Sequence, residues 1–316
     1  MILQTQIPLK QQQYNTINYQ SKLLLLGSCF SENIGNKLFY YKFQVVQNPF
    51  GILFQPKAIE KLILNSINGK QYKKNELFFQ NGQWHSFDAR SKLSSLSQQK
   101  LIKNLNKSIS ITNKALTDAS HIIITLGTSW VYRFIENNQI VANCHKVPQK
   151  KFLKEILSIH NIIESLNALI SLIRSVKSDT TIIFTVSPVR HLKDGFIENQ
   201  RSKSHLIAAI HEVINAKKNL YYFPSYEIMM DELRDYRFYK EDMIHPTPVS
   251  VDYIWNYFKN VWISNETKGT MKEVESIQKG LDHKPFNINS EQHQAFLDKL
   301  SLKMKKLKQR LPFIEF

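Results

Sequence analysis

Four leucines, Leu23 to Leu26, run directly into Gly27-Ser28-Cys29-Phe30, and a helix-like pattern opens immediately behind them. No other feature constrains the fold as strongly. A short apolar run closed by a glycine turn and followed by a helix reads as the first strand and helix of a layered α/β sheet. In many α/β enzymes such a turn lifts a polar side chain beyond the sheet edge. There the N–H groups and partial positive charge of the helix N-terminus favour a developing oxyanion. Far downstream, Asp242-Met243-Ile244-His245-Pro246 sets an acid and a histidine three residues apart, a spacing that suits an orienter and a base. Together the two fragments make a nucleophile–His–Asp arrangement available.

The rest of the chain continues the alternation. Strand-like runs are expected at Lys22–Leu26, Phe43–Val46, His121–Thr125, Thr180–Val186 and Leu220–Phe223. Helical patterns fall at Ser31–Tyr40, Pro56–Asn65, Ser94–Ala115, Asn161–Val176, Gln200–Asn215 and Thr247–Trp262. Runs without charge suit strands buried on both faces, so an open parallel sheet of about five strands with helices on both sides is expected. Two hairpins interrupt it. Glu76–Gln80 and Gln83–Phe87 flank Asn81-Gly82, which suits a type I′ turn, and Trp130–Ile135 and Ile140–Cys144 flank Asn137-Asn138. Beyond about Ser264 the pattern becomes polar, Lys-rich and helical, broken at Pro285. The expected division is a domain over 1–263 and a helical extension over 264–316.

The 316 residues are 42% hydrophobic, enough for a sizeable core, which excludes disorder as the main state. Lysine and arginine exceed the acids by 16. The lysines are scattered, with their densest cluster at Lys303, Lys305, Lys306, Lys308 and Arg310. They read as a solvated surface, without the aromatic-plus-basic motif of a nucleic-acid reader. The two cysteines, Cys29 and Cys144, form no C-x-x-C pair, which fits a reducing, cytoplasmic location. No signal peptide is evident and no apolar run approaches the ~20 residues of a membrane span. The sequence leaves oligomeric state open.

The string Gly27-Ser28-Cys29-Phe30-Ser31 resembles the name motif of the GSCFA family, with Ser31 where that motif has Ala. Agreement continues at Asn48-Pro49-Phe50-Gly51, Trp84-His85-Ser86-Phe87-Asp88, Leu126-Gly127-Thr128-Ser129-Trp130 and Asn143-Cys144-His145-Lys146-Val147-Pro148. It ends with Ser187-Pro188-Val189-Arg190-His191 and Asp242–Pro246, so that the resemblance spans roughly Leu23 to Trp262. The family is similar to SGNH/GDSL hydrolases. That similarity implies a flavodoxin-like sheet and esterase-type acyl chemistry on a small-molecule or saccharide ester, without a cofactor. Laid on the SGNH pattern, Gly27 matches the glycine of the Gly-Asp-Ser turn, Ser28 the aspartate and Cys29 the nucleophile. Ser28 is the alternative nucleophile under a one-residue shift. Asp242 and His245 match the Asp-x-x-His of the last block.

For the oxyanion hole the resemblance implies Gly51 after the second strand and the position of Ser129 after the third, beside Gly127. Ser129 replaces the asparagine of the pattern and reaches less far, so Asn48 or Asn143 is a substitute donor. His85 and His145, on hairpins above the crevice, are candidates to read substrate, and Arg190 is a candidate anion clamp. Two other classes stay open. A binding protein on a degenerate hydrolase fold fits the missing asparagine. A zinc enzyme would draw on Cys29, Cys144, His145, His85, Asp242 and His245, although no metal site is expected because their spacing is loose.

Overall fold

The computed structural model describes residues 5–316. In chain order its first half contains β1 (Lys22–Gly27), α1 (Cys29–Tyr40), β2 (Gln44–Gln47), α2 (Pro56–Ile67), β3 (Phe78–Gln80), β4 (Gln83–His85) and α3 (Gln98–Asp118). Then follow β5 (His121–Leu126), β6 (Trp130–Phe134), β7 (Gln139–Val141), β8 (Phe152–Ile156), α4 (Ile159–Val176), β9 (Thr181–Val186), α5 (Phe196–Val213) and β10 (Leu220–Tyr222). A single turn α6 (Ser225–Glu227), α7 (Pro248–Trp262), α8 (Thr267–Leu281) and α9 (Glu291–Arg310) complete the chain.

The five apolar runs pair in parallel as β10-β9-β5-β1-β2. Counting only these strands, this is the 2-1-3-4-5 order of a flavodoxin-like sheet, and strand order reverses between β1 and β5. Ligands of such sheets bind outside the carboxyl ends of the strands at that reversal, which here lies beside Gly27 and Gly127.

Alternation along the strands divides the core. Leu24, Leu26, Ile122, Ile124, Ile182 and Phe184 face one side and pack with the apolar faces of α2, α3, α4 and α5. Leu23, Leu25, Ile123 and Ile183 face the other and pack with α1, α7, α8 and α9. Fully burying one such aliphatic side chain contributes roughly 1.5–3 kcal/mol, so the sheet is anchored from both sides. The Lys-rich tail is part of this second layer. Met271, Val274 and Ile277 of α8 and Leu300 and Leu307 of α9 join its core, while Lys303, Lys305, Lys306 and Lys308 face solvent.

The insertion after β5 holds three strands rather than the two expected. β8 pairs with β6 opposite β7, and its Lys154 and Glu155 masked it as loop. The insertion is closed at its base, where Leu157 donates its N–H to the carbonyl of Ser129 at 2.9 Å.

Candidate functional site

The turn from β1 to α1 is held from three directions. Gly27 donates its N–H to Asn48 Oδ1 at 2.9 Å and accepts from the N–H of Leu53 at 3.1 Å. Ser28 donates its N–H to the Thr125 carbonyl at 3.0 Å. Ser28 is then the N-cap of α1, with its hydroxyl accepting the N–H of Phe30 at 3.2 Å, and it is 2% exposed. This cap starts the helix two residues before the expected Ser31. Cys29 is the first helical residue and is half-buried. Burial raises its thiol above the ordinary range, an effect opposed by the N–H groups at the helix start and by Lys203.

Lys203 was not singled out from the sequence, although it shares the buried face of α5 with Leu206 and Ile210. It is completely buried. Its ammonium donates to the carbonyls of Gly127 at 2.6 Å and Ser187 at 2.7 Å, tying together the loops that leave β5 and β9. Burial pulls it down to about 7, with the Cys29 thiolate opposing. The unfolded chain holds a lysine proton up to about pH 10.4, so between those limits it binds more protons than the fold. Stability associated with Lys203 therefore grows as pH rises from about 7 and is lost as pH falls back. In urea unfolding, wild type should gain on Lys203→Met by up to about 1.4 kcal/mol per pH unit between about pH 7 and 9. A difference independent of pH would show that Lys203 keeps an ordinary affinity for its proton.

Neighbouring Ser202 of α5 engages Ser129. The Ser129 hydroxyl donates to the Ser202 carbonyl at 3.2 Å, and the Ser129 N–H donates to the Ser202 hydroxyl at 2.8 Å. Ser129 is fully buried and acts as a joint between the β5 loop and α5.

Asp242 and His245 form a dyad. Asp242 Oδ2 lies 2.7 Å from His245 Nδ1, and Oδ1 accepts the N–H groups of Ile244 and His245, each at 2.9 Å. These bonds hold the Asp242 carboxyl well below the usual carboxylate range. Arg190 braces the loop. Its N–H donates to the Ile244 carbonyl at 3.2 Å and its guanidinium lies 4.0 Å over the Tyr239 ring. Next to it, His191 is driven down to about 3 by burial and then by Lys203, His245 and Arg90, and stays neutral. Among the described residues no hydrogen bond joins the Cys29 thiol to His245. Lys203 lies within electrostatic reach of both Cys29 and His191, and His245 within reach of His191.

Two oxyanion candidates from the loop after β2 differ in what they have free. Gly51 spends its N–H on the Asn48 carbonyl at 2.7 Å. With φ at +73° and a would-be Cβ 2.8 Å from Arg90 Cβ, it makes room for Arg90. Asn48 is buried, and among the described residues its Nδ2 has no hydrogen-bond partner.

The hairpin histidines do not join this group. His85 bonds Ser94 Oγ through Nδ1 at 2.6 Å and the Gln80 carbonyl through Nε2 at 3.0 Å. His145 donates from Nε2 to the carbonyls of Ser86 at 2.8 Å and Ala89 at 2.9 Å, and burial pushes it down to about 4. Asn143 donates to Ser91 Oγ at 3.1 Å. These bonds fasten the β7–β8 connection to residues 86–91. Burial lifts the Cys144 thiol to about 11. Among the described residues no three histidine, cysteine or acidic side chains, the six zinc candidates included, converge as a metal site.

No curated protein matches the chain. Residues 22–258 match the GSCFA family model, and residues 274–316 match that of the C-terminal domain of GSCFA domain proteins. The first match takes in the β1–α1 turn, Lys203 and the Asp242–His245 dyad, and on it the chain belongs to the GSCFA family.

Proposed function

We propose that this protein is an acyl hydrolase or acyltransferase that forms a covalent acyl-enzyme on Cys29. Its substrate would be an ester, a thioester or an acylated sugar. The observation that carries the reading is the 2.7 Å bond between Asp242 and His245 Nδ1. It leaves Nε2 free to take a proton. Cys29 is favoured over Ser28 because the serine hydroxyl is buried and occupied in capping.

In the first step the Cys29 sulfur bonds to the acyl carbon and its proton passes to His245. Asp242 steadies the imidazolium. The Cys29 N–H and Asn48 Nδ2 are the donors for the tetrahedral oxyanion. Collapse breaks the bond to the leaving alcohol or thiol, which takes the proton from His245. Water, or an acceptor hydroxyl, then releases the acyl group with His245 again as base. Lys203 lies within electrostatic reach of the thiol, and while it holds its proton its charge favours the thiolate. A free thiol nucleophile suits a reducing compartment such as the cytoplasm, and among the described residues no helix is long and apolar enough to cross a membrane.

Labelling with iodoacetamide and a fluorophosphonate, read by mass spectrometry, tests the reading. Cys29 should react faster in the folded protein than in a urea-unfolded control at the same near-neutral pH, because His245 takes its proton. Because its thiol is held above the ordinary range, its rate should keep rising with pH where the unfolded thiol has levelled off. If neither Cys29 nor Ser28 outpaces the control, the covalent mechanism is wrong. The second reading, a binding protein on the same fold, draws on Ser129, whose side chain is committed to Ser202. It would be favoured if His245→Ala retained full ester turnover.

A further inference from the structure

Among the described residues, three polar groups meet one pocket without hydrogen-bond partners. The pocket, about 520 Å³, lies between the loop after β2 and the β6–β7–β8 sheet. Gln55 is 3% exposed, and among the described residues neither its amide nitrogen nor its amide oxygen has a hydrogen-bond partner. It occupies the N-cap of α2 yet makes no capping bond. His191 contributes Nε2, also buried and unpartnered. Arg90 has its guanidinium 5.4 Å over the Phe54 ring, whose other neighbour is His191 at 5.4 Å between ring centroids. Among the described residues Arg90 has no acidic side chain at ion-pair distance. Among the described residues the acidic groups in its electrostatic reach are the Cys29 thiol and Glu32.

The lining is also unbalanced in charge. Its one acid, Asp194, is ion-paired to Lys154. Lys146 and Lys193 stand at the rim with no ion pair among the described residues. A partly desolvated guanidinium with no counter-ion, beside a buried carboxamide free at both ends, is a site built for an oxyanion attached to a hydrogen-bonding body. Aromatic walls from Phe54, Trp130 and Tyr132 suit the faces of such a body.

We propose that this pocket binds the carboxylate- or phosphate-bearing end of the substrate, with Arg90 as the anion receptor and Gln55 reading an adjoining hydroxyl or amide. The proposal rests on the acyl-transfer reading of Cys29 and narrows its substrate to an anionic ester or thioester.

Calorimetric titration of the full chain with succinate, inorganic phosphate and neutral succinamide tests it. Succinate or phosphate should bind saturably and succinamide should not, and whichever anion binds names the source. Arg90→Gln should weaken that anion about tenfold or more, and Arg90→Lys should recover part of the loss. The bound anion should also slow iodoacetamide labelling of Cys29. Absence of anion binding, or binding unchanged in Arg90→Gln, overturns the proposal. Cys29→Ala should bind the anion as wild type does, so a failure of the acyl chemistry is distinguishable from a failure of this site.

Discussion

His245→Ala should lower acyl turnover by about 10²–10⁴-fold, the usual contribution of a positioned general base. The side chain is partly solvent-exposed, and the 2.7 Å bond to Asp242 is its sole hydrogen bond among the described residues. The melting temperature should therefore stay close to that of wild type. Asp242→Asn is the informative companion. Its amide oxygen can still accept the N–H groups of Ile244 and His245, so the loop keeps its shape. It loses the negative charge that orients the ring and stabilises the imidazolium, and turnover should fall with the fold intact. The measurement is kcat on a chromogenic ester, with thermal unfolding run alongside. Activity preserved in both variants would mean that proton transfer runs through another group.

The largest effect on stability is expected from Gly27→Ala. The residue sits at φ +139°, a region that side chains with a Cβ rarely enter. An added methyl would overlap the Thr125 carbonyl oxygen and stand 2.8 Å from the Thr125 nitrogen and carbonyl carbon. Those atoms are backbone of the adjacent strand and cannot swing aside. The strands would have to part at the centre of the sheet, where Gly27 pairs with Thr125. A loss of about 3 kcal/mol or more is expected from overpacking and strain together, read as a shift of the urea midpoint. A loss under about 1 kcal/mol would mean that the turn relaxes freely, contrary to the bonds that fix it.

The sheet was legible because its strands are nearly pure apolar runs. Every residue of His121–Leu126 and Thr181–Val186 is buried, and such runs leave no other role for them. Boundaries set by a single hydrogen bond were not legible. The Ser28 cap moved the start of α1, and α5 begins at Phe196, four residues before the expected Gln200. Its first turn holds exposed Phe196 and Ile197, which break the apolar face. The Asp242–His245 pair was readable because three residues of chain enforce the contact. Arg90 and Lys203 were not, because folding rather than spacing brings them to Cys29 from residues 61 and 174 positions away. Their signals were faint: a lysine in register with an apolar helix face, and a glycine, Gly51, at a position needing space for a side chain elsewhere. Asn143 and the hairpin histidines show the reverse, conspicuous in sequence yet fastened to neighbouring backbone and hydroxyls.

The bond from Leu157 to Ser129 at the foot of the β6–β7–β8 insertion has a wider consequence. It brings the two ends of residues 130–156 together, so the segment behaves as a cassette plugged into an otherwise continuous scaffold. The proposed reaction centre, Cys29 with Asp242 and His245, belongs to the scaffold, while one wall of the neighbouring cavity, Trp130 and Tyr132 included, belongs to the cassette. Selectivity can thus diverge by exchanging one stretch of chain, with no repositioning of the thiol or the imidazole.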